Sequence, residues 1–216
     1  LVGLSVTMPH KTDVASRVDR LSDDAAALRS VNTVSVGAEG ELVGHSTDGE
    51  GLIAALENDG IDVRGRSVLV LGRGGAGRAV ERALVRRGAG RVGTTNRSPI
   101  DDRLPPSESV SLVDWVDRNE AVASFDVPVN CTSVGMGSSE ETVIEPASIR
   151  SEHTVVDLVY HPLETPLMAA ARRRGARVHG GLDMLINQAA LQELIWTGRR
   201  PDLEAMKRAA LQALAR

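Results

Sequence analysis

The sequence predicts an α/β protein of two domains, and three observations carry that expectation. From Ser67 onward, apolar strand-like runs alternate with helical segments, the pattern of a parallel sheet with helices on its faces. Before Ser67 the pattern differs, with helical segments around a hairpin. The chain has 216 residues, of which 42% are hydrophobic and 25% charged. These are ordinary values for soluble domains, and the length allows one large domain or two small ones.

The elements follow in order. Residues 4–7 read as a short buried strand. Residues 12–28 carry helical spacing, with Val14, Val18, Leu21, Ala25 and Leu28 on one face. Residues 31–36 and 41–45 are strand-like and joined by a turn at 37–40, which predicts a hairpin. Residues 51–58 read as a helix stopped by Gly60. Ser67–Leu71 is a continuous apolar strand, and Gly75–Arg87 a helix with Ala76, Val80, Ala83 and Leu84 inward. Residues 92–95, 109–113, 127–130, 155–159 and 177–179 supply further strands. Two helices close the chain at 183–198 and 201–215, with Pro201 suited to a first turn.

Composition excludes several classes. No apolar run approaches the roughly 18 residues that span a bilayer, so no membrane span is expected. A net charge of −4 gives no basic field for nucleic acid. The single cysteine, Cys131, rules out an internal disulfide and suits a reducing compartment. Only two of the 25 basic residues are lysines, Lys11 and Lys207, which draws attention to position 11.

The first chemical motif is the loop from Gly72 to Gly77. It follows an apolar strand, opens a helix and fits G-x-G-x-x-G at 72, 74 and 77. Gly72 permits the tight turn, Gly74 lets the backbone approach a pyrophosphate, and Gly77 allows close helix–strand packing. The helix N-terminus then offers free N–H donors to the phosphate. A dinucleotide and a Rossmann-like parallel sheet are the expectation. An NAD site places Asp or Glu at the end of the next strand. Here that strand ends Thr94-Thr95-Asn96-Arg97-Ser98, with arginine in place of an acid. A guanidinium suits a 2′-phosphate, so the expected coenzyme is NADP, although Asp101 and Asp102 stand close enough to oppose it.

The second motif is Ser5-Val6-Thr7-Met8-Pro9-His10-Lys11, a strand running into a turn that presents a lysine. Asp48 stands at the end of a later strand. Hydride transfer to a ketone needs a proton donor for the developing alkoxide. A lysine can serve and an arginine cannot, because a guanidinium does not deprotonate. Read in isolation, the two residues are simply a surface lysine and a helix N-cap.

The ordered set of motifs resembles the shikimate dehydrogenase family. Residues 5–11 resemble its N-V-T-x-P-x-K, Val31-Asn32-Thr33 its A-V-N-T, and Ser46-Thr47-Asp48 its N-T-D. Residues 72–76 resemble G-A-G-G-A, and Asn96-Arg97-Ser98 the N-R-T clasp of NADP-dependent members. Asn130 to Met136 resembles N-A-T-S-x-G-M. Asp157 to Leu167 is similar to D-x-x-Y-x-P-x-x-T-P-L, and Gly181 to Ala189 to G-x-x-M-L-x-x-Q-A.

The resemblance implies an oxidoreductase of aromatic amino-acid (chorismate) biosynthesis, interconverting 3-dehydroshikimate and shikimate with NADP. It implies a cytoplasmic setting and is compatible with a homodimer. Lys11 and Asp48 become the expected catalytic pair. Thr7, Asn32, Tyr160 and Gln188 become expected substrate contacts. Gly72, Arg73, Gly74, Gly75 and Ala76 become expected pyrophosphate contacts, with Asn96, Arg97 and Ser98 at the ribose phosphate. Met136, Leu158 and Gly181 are expected near the nicotinamide, and no metal is implied. The expected domains are a substrate domain at 1–48, a coenzyme domain at 49–180, and C-terminal helices at 181–216 that return to the first. Quinate or aminoshikimate dehydrogenation, and a silent ligand-binding homologue, are the alternatives.

Ser5 and Ser46 stand where asparagine is usual, Arg73 replaces a common alanine beside the phosphates, and Ser98 replaces threonine. The family usually begins with further strand–helix units carrying S-x-S-P-x-x-H-N, whose serines hold the substrate carboxylate. Nothing in this sequence matches that motif, so the sequence is expected to lack the usual N-terminal segment.

Overall fold

A computed structural model describes residues 1–101 and 104–214. The first sheet is built from β1 (Gly3–Ser5), β2 (Arg20–Leu21), β3 (Thr33–Val36) and β4 (Leu42–His45), in the order β1-β3-β4-β2. The β3–β4 hairpin is antiparallel with Val34 opposite Gly44, as the turn at 37–40 predicts. The helices α1 (Lys11–Ala15) and α2 (Asp23–Leu28) lie between these strands in sequence.

Two expectations fail in this region. β1 is not a buried strand, since Leu4 is 51% exposed. It lies at the sheet edge, with β3 as its one strand neighbour among the described residues. The continuous helix at 12–28 is broken. Helical spacing does aim Val14, Val18, Leu21 and Ala25 at a common small core with Val31 and Val34. However, β4 captures the middle of the segment through backbone bonds. Asp19 N–H donates to Leu42 O, Ser22 N–H to Gly44 O, and Leu42 N–H to the Asp19 carboxylate. The Ser22 hydroxyl then caps α2 by accepting from Ala25 N–H at 3.3 Å. Strand pairing with a distant segment outweighs local helical propensity here.

α3 (Asp48–Asn58) leads out of the hairpin into the second sheet. There follow β5 (Ser67–Leu71), α4 (Gly75–Arg87), β6 (Arg91–Thr95), β7 (Val110–Leu112), and a run of helical turns at 115–124 that contains α5 (Arg118–Ala121). β8 (Val127–Asn130), β9 (Thr154–Asp157), α6 (Pro166–Arg173), β10 (Arg177–Gly180), α7 (Gly181–Thr197) and α8 (Leu203–Leu214) complete the order. The six strands are parallel, in the order β10-β9-β8-β5-β6-β7. The chain enters at the centre, runs to the β7 edge, then returns to build outward to β10. Ligands of such sheets bind at the carboxyl ends of the two strands where the order reverses, here β5 and β8.

Alternation along β5 explains its unbroken apolar run. Val68 and Val70 join Leu52, Leu56, Val80 and Leu84 on one face. Leu69 and Leu71 join Phe125, Ile149, Val155 and Leu167 on the other. α6 was not foreseen as a helix, although its signals are local: Thr165 accepts from Met168 N–H, and Pro166 fills the first turn. Pro201 lies ahead of α8 rather than within its first turn. The Asp202 carboxylate accepts from Ala205 N–H and takes the capping place, and residue 215 lies outside the described residues. No helix among the described residues is long and apolar enough to cross a membrane.

α3 is the joint between the two sheets, packed on α4 and on α7. Gly51 makes the second contact possible. A Cβ there would stand 2.6–2.8 Å from the Cβ and backbone of Gln188, so only glycine lets α3 and α7 close to this separation.

Candidate active site

The first-sheet backbone assembles a polar cluster at the N-terminus of α3. Lys11 C=O accepts from Val31 N–H, and Asn32 N–H donates to His45 O, which places positions 11, 32 and 47–48 side by side. Lys11 Nζ donates to Asp48 Oδ2 at 2.6 Å, and Asn32 Nδ2 donates to Asp48 Oδ1 at 2.8 Å. Asp48 is the first residue of α3, where the helix dipole favours a carboxylate. The side chains of Lys11 and Asp48 are 17% and 9% exposed, so the ion pair is shielded but reachable.

α7 closes the cluster from the side. The Asn32 amide also donates toward Gln188 Oε1 at 3.2 Å, and Gln192 Nε2 donates to Asn32 O at 3.1 Å. Thr47 was given no role from sequence, yet it knits the group together. Its N–H donates to Asn32 Oδ1, and its hydroxyl donates to Gln188 O. Gln192 was likewise missed; it is buried on α7, one helical turn after Gln188. Of the expected substrate contacts, Asn32 and Gln188 join the Lys11–Asp48 pair. Thr7 lies exposed in the turn just before Lys11. Among the described residues, neither Thr7 nor Tyr160 enters this hydrogen-bond network.

Tyr160 instead lines an open cavity of about 410 Å³ with Met136, Gly137 and His161, where the end of α8 also arrives. A buried network holds that region. Asp157, fully buried, accepts from Asn130 Nδ2, Val159 N–H and the Thr165 hydroxyl. Burial pushes its carboxyl above the ordinary value while those donors pull it back. The carbonyl of Asn130 accepts from Leu158 N–H, and Gly181 lets the start of α7 pass against Leu158. Leu158 and Gly181 thus stand together at the ends of β9 and β10, while Met136 lies in the cavity lining with Tyr160.

The glycine loop lies at the end of β5. Gly72 adopts φ +96°, where a side chain is strained, and a Cβ would meet Thr132. A Cβ on Gly74 would point into open space, and α4 begins with no side-chain cap. Among the described residues no side chain caps its first N–H groups, so the loop fits an anion such as a pyrophosphate. Asn96 accepts from Arg73 N–H at 2.9 Å and donates to Ser98 O at 2.8 Å. Arg97 and Ser98 are exposed beside it. Arg73, expected among the pyrophosphate contacts, is tied through its main chain to Asn96. The guanidinium turns inward to Glu81 and Leu104 O rather than outward beside the loop. Asp101 is exposed, and Asp102 lies outside the described residues.

Strand order, glycine loop and the polar cluster at the start of α3 together define a Rossmann-type α/β protein with a further sheet that carries a lysine–carboxylate pair. The model of the shikimate dehydrogenase substrate binding domain matches residues 1–34, and that of the shikimate 5′-dehydrogenase C-terminal domain matches residues 181–211. A shikimate dehydrogenase (NADP(+)) of Pyrococcus abyssi is 40% identical over 99% of this chain and 79% of its own length. One from Moorella thermoacetica is 40% identical over 98% of this chain and 75% of its own length. Among solved structures, the Thermus thermophilus shikimate 5-dehydrogenase in complex with NADP(H) and shikimate superposes with a TM-score of 0.89 at 36% identity, covering 99% of this chain and 80% of that one. Quinate dehydrogenase from Corynebacterium glutamicum in complex with NAD gives 0.88 at 32% identity, covering 98% and 78%. The chain belongs to the shikimate dehydrogenase family.

Proposed function

We propose that this protein interconverts 3-dehydroshikimate and shikimate with NADP, using Lys11 and Asp48 for proton transfer. The observation that carries the reading is the 2.6 Å Lys11–Asp48 pair, set among Asn32 and Gln188 at the junction of the two sheets. NADPH, when bound, supplies a hydride to the substrate carbonyl. Lys11 then gives its Nζ proton to the oxygen on which charge develops, and in the opposite direction Lys11 takes the hydroxyl proton. Asp48 orients the ammonium, and Asn32 holds the other carboxylate oxygen so that the pair keeps one geometry. Asn32, Gln188 and Thr7 offer amide and hydroxyl groups to the substrate hydroxyls, with Tyr160 at the outer wall. The first N–H groups of α4 hold the pyrophosphate, and Asn96, Arg97 and Ser98 the adenosine ribose phosphate. Residues 1–48 and the C-terminal helices serve substrate, and 49–180 serve coenzyme. A homodimer and a cytoplasmic setting fit the same reading.

The similarity to a quinate dehydrogenase complexed with NAD supports a second reading with the same chemistry. One experiment separates them: nicotinamide reduction is followed with shikimate and with quinate, each with NADP and NAD. Fastest turnover of shikimate with NADP is expected. Preference for quinate or for NAD sinks the proposed substrate or coenzyme respectively, and coenzyme binding without turnover of either sinks the enzymatic reading.

A further inference from the structure

Arg73 departs from the alanine usual at its place, and its surroundings give the departure a purpose. Its side chain is 6% exposed. Nε donates to Glu81 Oε2 at 3.0 Å, and Nη1 donates to Leu104 O at 2.6 Å. Glu81 lies on α4 and is 4% exposed, and its Oε1 accepts from the Thr94 hydroxyl at 2.5 Å. The Arg73 main chain donates to Asn96, which in turn holds Ser98 O. The Arg73 side chain thus ties the glycine loop directly to α4 and to the chain at Leu104, and through Glu81 to the tip of β6. A buried carboxylate without a cation is costly, so Glu81 and Arg73 each require the other.

We infer that Arg73 is a positioning residue for the coenzyme, bracing the glycine loop against the Asn96–Ser98 clasp through Glu81 and Leu104 rather than touching a phosphate. This rests on the NADP reading. The brace sets the separation between the pyrophosphate donors and the ribose-phosphate clasp, so its loss falls on NADP affinity. The catalytic pair lies on other elements and is untouched by it.

The test uses R73A, R73M, E81Q and the double variant R73A/E81A, with NADP dissociation constants from fluorescence titration, steady-state kinetics, and melting temperatures as a control on folding. R73A and E81Q are each expected to raise KM and Kd for NADP by about 10-fold, the scale of one lost charge-assisted hydrogen bond, with the loss in KM for NADP rather than in kcat. R73M keeps the side-chain volume without the donors and should match R73A. The double variant removes both partners of the pair at once, so neither Arg73 nor Glu81 is left buried without the other. It should show about the same 10-fold loss, not a multiplied one, because the two groups act as a unit. If E81Q binds NADP normally while R73A does not, Arg73 is a direct phosphate contact and the inference is overturned. If R73A binds NADP as tightly as the unmodified protein, the inference fails alone. An unmodified protein that does not bind NADP overturns the coenzyme reading and this inference with it.

Discussion

Replacing Lys11 tests the proton-transfer reading most directly. In Lys11→Ala the ammonium is removed, but Asp48 keeps Asn32 Nδ2 at 2.8 Å and its place at the start of α3. Its charge is therefore not stranded, and the fold should lose only the one charge-assisted bond, about 1.5–3 kcal/mol. Catalysis should suffer more. A general acid–base group contributes roughly 10²–10⁴ in rate, or about 3–5 kcal/mol of barrier, and kcat should fall by that factor. Shikimate KM should move far less, because Asn32 and Gln188 remain. Lys11→Arg distinguishes proton transfer from simple charge. It restores the cation beside Asp48, yet a guanidinium cannot give up its proton at neutral pH. Its kcat should stay within about tenfold of the alanine variant, although its melting temperature recovers. The assay is NADPH formation at saturating shikimate, alongside thermal melts. A Lys11→Ala protein with near-normal kcat removes the assignment, and an active Lys11→Arg protein shows that the position needs only a positive charge.

Three further outcomes are expected. Arg97→Ala should raise KM for NADP by about 10- to 150-fold and leave NAD almost unaffected, since it removes a charge-assisted contact that only the 2′-phosphate makes; equal effects on both coenzymes would refute the clasp. Gly51→Ala places a methyl 2.6–2.8 Å from Gln188, so α3 and α7 must part at a cost of about 1–3 kcal/mol, read as a lowered melting temperature and a raised shikimate KM. His45 and His153 are both held below the usual histidine value of about 6.5, each mainly by burial. The unfolded chain then binds the extra protons, so their stability contribution is full above that value and is lost as pH falls below it. Denaturant midpoints should drop from pH 7.5 to about pH 5, and less steeply in His153→Gln; a flat profile would contradict the burial of these rings.

Sequence and tertiary structure divided the information unevenly. The second sheet was legible because parallel strands buried on both faces read as plain apolar runs: Ser67–Leu71, Gly75–Arg87 and Val127–Asn130 fall where their composition puts them. The hairpin was legible because its turn residues and alternation are local. The segment at 12–28 was not, since the same apolar spacing serves a helix or a strand–helix pair facing one small core. The choice between them lies in backbone groups of β4 about 20 residues away. The candidate site divides in the same way. Gly72 and the loop around it announce their chemistry, because few residues can adopt that backbone beside a strand end. Lys11 and Asp48 alone looked like a surface lysine and a helix cap, and only their place in an ordered set of motifs gave them a role. That Asn32, Thr47, Gln188 and Gln192 join one network, with Asn32 on the Asp48 carboxylate, was decided by the packing of α3 on α7, a contact between segments far apart in the chain. Arg73 shows the limit most plainly. Its position beside a phosphate loop argued for a phosphate contact, but a side chain's direction depends on its neighbours in space. Here the buried carboxylate of Glu81 and the carbonyl of Leu104 turned the guanidinium inward.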